Sequence, residues 1–557
     1  MNKWREALTE VANLSGWDLP KGTEAVKGIQ VNAKPFDQKM DKLRYHESIL
    51  EVQNDSLGTE AVGGRLLYFN DPKDVQVNAK GFNKMYNLWL LHLDYVHLTT
   101  DFEHISRRLL WLSWKGFPLE CLPWNLSTEK LIALDLSYSC LKKVWSGYKA
   151  SSCLKELKLA NCSLSYLPDE IGNLISLQSL DLQQNNLITI PDRICNLTCL
   201  KFLDLACNNV SRLPSEIGRL TSLEYLNLGF LTEIEALTSL KNLRHQCKRS
   251  LALPLPDSIW SLTRLRRLIL DGCNLSHLPS EIGNLASLYK LSLRVNNICT
   301  LPDSIRNLHR LQYLFLRNCE KLQSLPKLPT GCEVSADDCK SLESLPLELD
   351  QLGQNMFCSG SNKLVENDFA NRLLKQLHRS KGLAELENVV NILVPTGGDD
   401  PTQFPYQGRG SYISFVVPPL VKHKMLGWVI CVFFTGPGEG VLPFVSMEHR
   451  VICNKIEKER VYSNTVHCYF PPTCQDHVWL RYTPQGFSGL HLKDGDEVEI
   501  SILSHHASLV KSWGVDLIYE VDENITKTNE NQEALIQYTP TLYENVRQPA
   551  RRFYLAN

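Results

Sequence analysis

The sequence has no excess of charge of either sign and no long hydrophobic run. Its 59 lysine and arginine residues oppose 61 aspartate and glutamate residues, so the formal net charge is −2. This balance gives no reason to expect binding to nucleic acid or to an anionic membrane surface. No apolar run approaches the roughly 18 residues of a membrane-spanning helix. The first residues carry charges where a secretory signal has an apolar segment, so we expect a cytoplasmic or nuclear protein.

Motifs for catalysis and for metal binding are also missing from the sequence. A phosphate-binding loop of the form G-x-x-x-x-G-K-[ST] does not occur. The stretches GPGEG at Gly436 and KDGDEVEI at Lys493 are typical of turns between strands. Cys195 and Cys199 have no second cysteine or histidine pair at zinc spacing. Since no nucleophile has a matching base either, we expect no enzymatic activity, no cofactor, no metal ion and no nucleotide.

One segment near the N-terminus occurs twice. GTEAVKGIQVNAKPFDQKM begins at Gly22, and a longer version, GTEAVGGRLLYFNDPKDVQVNAKGFNKM, begins at Gly58. Because this pair occurs only twice, we interpret it as a duplicated junction that is distinct from the longer repetition after it.

A longer repetition dominates the centre of the chain. Rows of the form L-x-x-L-x-L-x-x-(N/C) recur every 23 residues from Leu154 to Leu223 and, after one step of 42, from Leu265 to Leu311. This is the leucine-rich-repeat pattern. Looser rows extend it back to Leu88 and forward to Gly331, which predicts a solenoid of about eleven or twelve turns.

The template assigns a role to each place in a row. Leucines enter the core around a short parallel strand, and the residues between them point outward from one face. The ninth residue is expected to bond backbone groups where the chain leaves the strand. Since an intracellular protein is expected, its eighteen cysteines are interpreted as reduced buried thiols in place of a disulfide framework, and those at the ninth place as part of an internal ladder. The ninth-place residues are Cys162, Asn185, Asn208, Cys273, Asn296, Cys319 and Cys339.

The second half of each repeat reads LPxxIxxL, as in LPDEIGNL at Leu167. Proline ends strand-like pairing, and the Ser or Asp beside it is expected to open a short helical turn. The row at Leu223 has Leu231 at its ninth place, and a helix-like stretch fills the long step after it. We interpret this stretch as a degenerate repeat with a surface excursion, and it is the predicted bend of the array.

The pattern changes after Ser341. NKLVENDFANRLLKQLHRS from Asn362 has helical spacing and predicts a short connecting helix. From about Val394, seven or so alternating β-branched runs are separated by Gly, Pro and Asp turns. No helix crosses between them, so an antiparallel sandwich is expected. The predicted fold class is an α/β leucine-rich-repeat solenoid followed by an all-β sandwich of jelly-roll or immunoglobulin-like type.

The order of these segments resembles plant disease-resistance receptors of the TIR, nucleotide-binding, leucine-rich-repeat class. The motifs that carry the resemblance span nearly the whole chain: WREALTEVANLSGW at Trp4, the two GTEAV segments, the LPxxIGNL repeats, KLVEND at Lys363, and LGWVICVFF, DHVWLRY and VKSWGVDLIYE in the sandwich. The resemblance implies repeats and a post-repeat domain that recognise pathogen effectors together.

The resemblance and the patterns together imply six segments. These are a remnant of the last TIR helix (1–20), the duplicated remnant of the nucleotide-binding junction (21–87), the solenoid (88–345), a helical linker (346–393), the post-repeat sandwich (394–523) and a polar tail (524–557). The family has several hundred residues where Trp17 and Gly22 are nearly adjacent here. Either loss of the TIR core and nucleotide-binding domain or exons omitted from the gene model would produce this junction.

The outward places of the later rows are the candidate binding site. They combine aromatic residues with lysine and arginine, which favour protein interfaces because they bury a large area and keep a polar group. The earlier rows, with Lys155, Gln178 and Asp204, are expected to form an ordinary solvated face, as are Glu156 and Asp181. The candidate protein-binding residues on the expected concave face are Phe202, Tyr225, Arg266, Arg267, Tyr289, Lys290, Arg294, Tyr313, Phe315 and Arg317.

These observations favour a plant immune recognition module that signals only through partners. The expected partner is a pathogen effector protein or a full-length sister receptor, with an acidic patch. Two alternatives stay open: a structural or inhibitor-type leucine-rich-repeat binding protein, and a non-functional truncated receptor. Outward aromatic residues that only stack on one another would fit the alternatives.

The missing phosphate loop generates the first prediction. ATP, ADP and NAD should leave the melting temperature of the purified chain unchanged, because only a ligand that binds the folded state raises stability. Differential scanning fluorimetry with each nucleotide measures the shift, and chromatography of the NAD sample measures cleavage. A reproducible upward shift or loss of NAD would contradict the expectation.

Overall fold

A computed structural model describes residues of this chain between 28 and 520, with gaps of which the longest are 34–64, 231–251 and 374–387. The chain divides into two compact units, Met1–Phe369 and Ala370–Asn557. No helix among the described residues is both long enough and apolar enough to cross a membrane.

The first unit is a ladder of short parallel strands. Most strands have only three residues, which is the part of each leucine row around its fourth place. In chain order the strands are β1 (Gly28–Ala33), β2 (Arg65–Phe69), β3 (Gln76–Val77), β4 (Leu90–Asp94), β5 (His97–Leu98), β6 (Trp111–Ser113), β7 (Ala133–Asp135), β8 (Glu156–Lys158), β9 (Ser179–Asp181), β10 (Phe202–Asp204), β11 (Tyr225–Asn227), β12 (Arg267–Ile269), β13 (Lys290–Ser292), β14 (Tyr313–Phe315), β15 (Glu333–Ser335) and β16 (Asn355–Phe357).

Equivalent places of successive rows lie side by side. Leu180 pairs with Leu203 in the parallel ladder from β9 to β10, and the same register continues from row to row. β11 pairs directly with β12, so that Tyr225 lies opposite Arg267 in spite of the long step between them. The ladder is therefore continuous there. The predicted excursion and bend lie outside the described residues.

The duplicated junction supplies two neighbouring strands. β1 lies between β2 and β4, and its pairing with β2 places Ile29 opposite Arg65. These two residues stand at the same distance from their GTEAV segments, since the copies begin at Gly22 and Gly58. The array thus includes strands before residue 88, and β16 carries it past 345 to Phe357.

A ladder of ninth-place side chains lies inside the repeats, as the sequence predicts. Asn185 donates through Nδ2 to the carbonyl of Leu159 at 2.7 Å and to that of Leu182 at 2.9 Å, and its Oδ1 accepts from the Leu164 N–H at 2.9 Å. The thiol of Cys162 donates to the Leu136 carbonyl at 3.1 Å. This part of the interpretation is confirmed.

The thiols of this ladder are neutral. Burial raises the pKa of the Cys162 thiol to about 11 and that of Cys319 to about 12. Serine also serves at the ninth place, which the sequence pattern missed: Ser139 bonds the Leu136 carbonyl, and Ser361 donates to Ala336 at 3.0 Å. A hydroxyl can replace the amide because it donates to a carbonyl and also accepts from a backbone N–H, as Ser139 does from Phe117 at 3.0 Å.

Each LPxxIxxL segment forms a short 3-10 helix with its isoleucine in the core. The backbone N–H of Ile171 donates to the Pro168 carbonyl at 3.1 Å. Pro168 itself is extended, with φ −72° and ψ 152°. The helical turn thus begins at Asp169 beside the proline, as expected, and no side-chain hydrogen bond caps it. The helices are Asp169–Asn173, Asp192–Asn196, Ile217–Arg219, Asp257–Ser261, Ser280–Asn284 and Asp303–Asn307. One α-helix, α1, spans Lys363–Glu366, within the stretch predicted as the connecting helix.

Carboxylates at the fifth place bind the backbone of their own row. Asp204 is 5% exposed, and its Oδ1 accepts from the Ala206 N–H at 2.9 Å. Its Oδ2 accepts from the Tyr225 hydroxyl at 3.2 Å and from the Asn227 amide at 3.3 Å. Burial outweighs these hydrogen bonds and raises the pKa of Asp204 from 3.8 to about 6.

The second unit is an antiparallel sandwich, as predicted. One sheet has the order β17, β23, β20, β25, β18, and the other has the order β19, β24, β21, β22. Trp428, Trp479 and Trp513 are buried on the first sheet. The strands are β17 (Val390–Pro395), β18 (Tyr406–Gly408), β19 (Tyr412–Val416), β20 (Met425–Phe434), β21 (Phe444–Lys455), β22 (Lys458–Tyr469), β23 (His477–Pro484), β24 (Glu497–Leu503) and β25 (Val510–Tyr519).

Leu180→Ala and Leu203→Ala should each lower the free energy of unfolding of the repeats by about 2 to 5 kcal/mol, because each leaves a cavity in a continuous core. Both leucines are 0% exposed, whereas Gln178 is half-buried at an outward place. Gln178→Ala is the control and should change stability little. Chemical denaturation followed by circular dichroism measures both effects, and equal losses at the two kinds of place would contradict the assignment.

Asp204 should make stability depend on pH. The folded chain holds this proton more tightly than the unfolded chain, so the contribution to stability is present below about pH 4 and is lost as pH rises through about 6. Between pH 4.5 and 7, wild type should therefore lose on the order of 2 kcal/mol relative to Asp204→Asn, which does not titrate. Asp303→Asn, at an exposed place, should keep the wild-type slope. Parallel pH slopes for wild type and Asp204→Asn would disprove the effect.

Candidate binding face

The third and fifth places of each row form one face of the ladder, which we call the ladder face. Flanking leucines such as Leu291 and Leu314 are fully buried and hold the strands in register. Third-place residues Arg267, Lys290 and Tyr313 are therefore direct neighbours on successive strands. Adjacent strands lie about 4.8 Å apart, so side chains from several rows can meet one ligand.

The structure brings five of the predicted residues together in what we call the late aromatic cluster: Tyr289, Lys290, Arg294, Tyr313 and Phe315. The rings of Tyr289 and Tyr313 meet edge to face at 5.4 Å, and those of Tyr313 and Phe315 stack at 6.2 Å. The Arg294 guanidinium lies 4.5 Å from the Phe315 ring centre, and the Lys290 ammonium lies 5.4 Å from it. All five side chains are half-buried, so the cluster is ordered and still reachable.

Two arginines extend the positive charge beside this cluster. Arg266 and Arg267 are both exposed, at the second and third places of the β12 row. Within the described part of the chain no ion pair neutralises either side chain. The surface here therefore presents unneutralised guanidinium groups next to aromatic rings.

Phe202 and Tyr225 form a separate pair on the earlier strands. Their rings stack at 4.3 Å with an interplanar angle of 11°, and the Tyr225 hydroxyl is used by Asp204. This pair is apart from the late aromatic cluster in the order of strands, since β12 lies between β11 and β13. The ten predicted residues thus do not form a single group.

Two expectations for this face are wrong. Arg317 is 6% exposed and is one of the groups around the buried Asp337, whose pKa burial raises to about 7 in spite of that positive charge. Arg317 therefore belongs to the interior. The earlier rows are also not an ordinary solvated face, because Glu156 and Asp204 are buried.

A polar notch borders the late aromatic cluster, and the sequence interpretation missed it. Its volume is about 270 Å³, and Arg310, Tyr313, Gly331 and Glu333 are among its lining residues. The signal in the sequence is a shortened repeat: Leu311 to Gly331 is a step of 20, and LPKLPTG, which ends at Gly331, has no LPxxIxxL segment. Within the described ranges, no group of three or more His, Cys, Asp or Glu residues is arranged to hold a metal ion.

Comparison with known proteins supports the repeat assignment. The family described as Leucine-rich repeat region matches residues 134–252 and 246–409. Disease resistance protein TAO1 of Arabidopsis thaliana is 31% identical over 184 residues, which are 26% of this chain and 16% of that protein. Disease resistance protein RML1A of the same plant is 32% identical over 164 residues, which are 28% of this chain and 16% of that protein. The aligned part of this chain thus spans only a small share of the relatives' length.

Among solved structures, the Leptospira interrogans leucine-rich-repeat protein LIC12759 matches with a TM-score of 0.35 and 22% identity, over 60% of this chain and 99% of that chain. At this score the superposition carries no argument about function. The repeat pattern, the observed ladder and the resistance-protein relatives agree with one another. The chain is a leucine-rich-repeat protein whose repeats are similar to those of plant disease-resistance proteins.

Proposed function

We propose that this chain is a recognition module of plant immunity that captures a protein partner on the later half of the ladder face. The observation that carries the proposal is the late aromatic cluster, in which Tyr313 and Phe315 lie beside the cations of Lys290 and Arg294. The names of the relatives, which are disease-resistance proteins, support the immune context.

The cluster has the physical properties of an interface anchor. Its rings are already packed against one another, so binding does not have to freeze many rotatable bonds. Arginine over an aromatic face keeps its hydrogen-bond donors free at the edge of the guanidinium plane, where a carbonyl or carboxylate can accept from them. Such aromatic and arginine anchors contribute most of the binding energy in many protein interfaces.

The partner that fits this surface is a protein with an acidic patch. Arg266, Arg267 and Lys290 lie on neighbouring strands, and complementary charge on a partner would speed association and orient it. We propose that the partner is a pathogen effector or a full-length sister receptor in the cytoplasm or nucleus. The chain would have no catalytic activity of its own and would signal through that partner.

The test compares two double mutants in pull-downs from infected plant tissue. Tyr313→Ala with Arg294→Ala should reduce capture of the partner at least about tenfold, because truncating each such anchor often costs 2 kcal/mol or more. Lys155→Ala with Gln178→Ala changes half-buried residues on the earlier rows and should leave capture unchanged. Captured proteins are identified by mass spectrometry, purified and rebound directly to the wild-type chain.

Thermal melts of both double mutants establish that the fold is intact. Equal capture by wild type and by the late double mutant would refute the proposed site. Loss of capture by the early pair alone would place recognition on the other end of the ladder face.

A further inference from the structure

One residue that lines the notch is a glycine. Gly331 is the first residue of the β15 row, since Glu333 pairs with Tyr313, and it takes the place that Leu311 has in the β14 row. Gly331 has a φ of +78°, and a Cβ added to it would meet no atom within 4 Å. Gly331 therefore adds no side chain to the lining that it shares with Arg310.

The lining of the notch includes groups of both charges. Arg310 and His309 line it and are exposed, and no ion pair links Arg310 to Glu333 within the described residues. Glu333 accepts a hydrogen bond from the Asn355 amide at 3.0 Å, and burial raises the pKa of its carboxyl. Gln312 and Tyr313 also line the notch. The notch thus offers an unpaired guanidinium and a hydrogen-bond acceptor.

This arrangement fits a residue that carries a carboxylate and a backbone N–H. A guanidinium binds a carboxylate through two parallel hydrogen bonds, which makes arginine selective for this group. The N–H of the same residue can donate toward Glu333. Because Tyr313 belongs to both the notch and the late aromatic cluster, a neighbouring side chain of the same segment would reach the stacked rings.

We propose that the notch is an anchor for a carboxylate of the partner protein, held by Arg310, next to the late aromatic cluster. The inference rests on the proposed function and adds the chemistry of the bound segment. The carboxylate comes either from a Glu or Asp side chain or from the partner's C-terminus, and both present the same group to the guanidinium.

Three acetylated dipeptides test the chemistry on the full chain by ligand-observed NMR titration at low ionic strength. Acetyl-Tyr-Glu-amide has a side-chain carboxylate, acetyl-Tyr-Gln has a terminal carboxylate, and acetyl-Tyr-Gln-amide has neither. We expect at least one of the two acids to bind about tenfold more tightly than the neutral amide, since a charge-assisted pair replaces a neutral contact. The tighter acid identifies the source of the carboxylate. Equal affinity of all three probes overturns the proposal.

Matched variants locate the binding. Arg310→Ala should remove the difference in affinity between the acidic dipeptides and the neutral amide, whereas Arg264→Ala should keep this difference. Arg264 is also exposed and also stands one residue before a row, but it does not line the notch. If Arg264→Ala weakens the acid probe as much as Arg310→Ala does, the effect is general surface charge and the notch is not the site.

A second variant fills the notch without removing charge. Gly331→Asn places a side chain in the open space, and Asn tolerates the left-handed conformation better than most residues. It should abolish acid binding. Gly495→Asn, at a glycine of the second unit with φ +76° and equally open surroundings, is the control and should not. If the Gly331→Asn variant binds the acidic dipeptides with wild-type affinity, the proposal is contradicted.

The two proposals can fail separately. If Gly331→Asn captures the partner as wild type does and Tyr313→Ala with Arg294→Ala does not, the ladder face binds the partner but the notch does not anchor it. If neither variant reduces capture, the proposed function fails, and the dipeptide titrations still decide whether the notch binds a carboxylate.

Discussion

The structure of the first unit depends on satisfying the backbone groups that three-residue strands leave in the core. Ninth-place side chains do this for two repeats at once: Asn185 bonds the Leu159 carbonyl of the preceding row and the Leu182 carbonyl of its own. An unpaired buried amide or carbonyl would destabilise the fold by about 1 to 3 kcal/mol. Each repeat is therefore stable only next to its neighbour, as in other solenoids.

This constraint also creates the binding face. Because the ladder keeps equivalent places side by side, residues one repeat apart become neighbours, and Tyr289, Tyr313 and Phe315 can pack together. The same register places Asp204 under Tyr225 and Asn227, where burial raises the pKa of its carboxyl. The regular repeats thus provide a framework on which variable outward residues form stacked or buried groups.

The array departs from its regular repeat in two places, where the length or the number of repeats changes. The shortened repeat before β15 puts Gly331 at the place of Leu311, and Gly331 and Arg310 both line the polar notch. At the other end of the array, the duplicated junction adds two strands in register, so that Ile29 lies opposite Arg65. In both places the ladder of strands continues through a local change in repeat length or number.

The sequence alone determined the repeat architecture, the terminal sandwich and the inward role of residues such as Leu180 and Cys162. These properties follow from periodicity, because a leucine that recurs at a fixed place can be buried only in a stacked structure. Only the tertiary structure decided which outward residues are accessible. Arg317 and Asp204 occupy places that the pattern labels as outward, yet both are buried. Their exposure depends on the side chains of neighbouring rows, some of them 20 or more residues away, and single-row patterns do not contain this information.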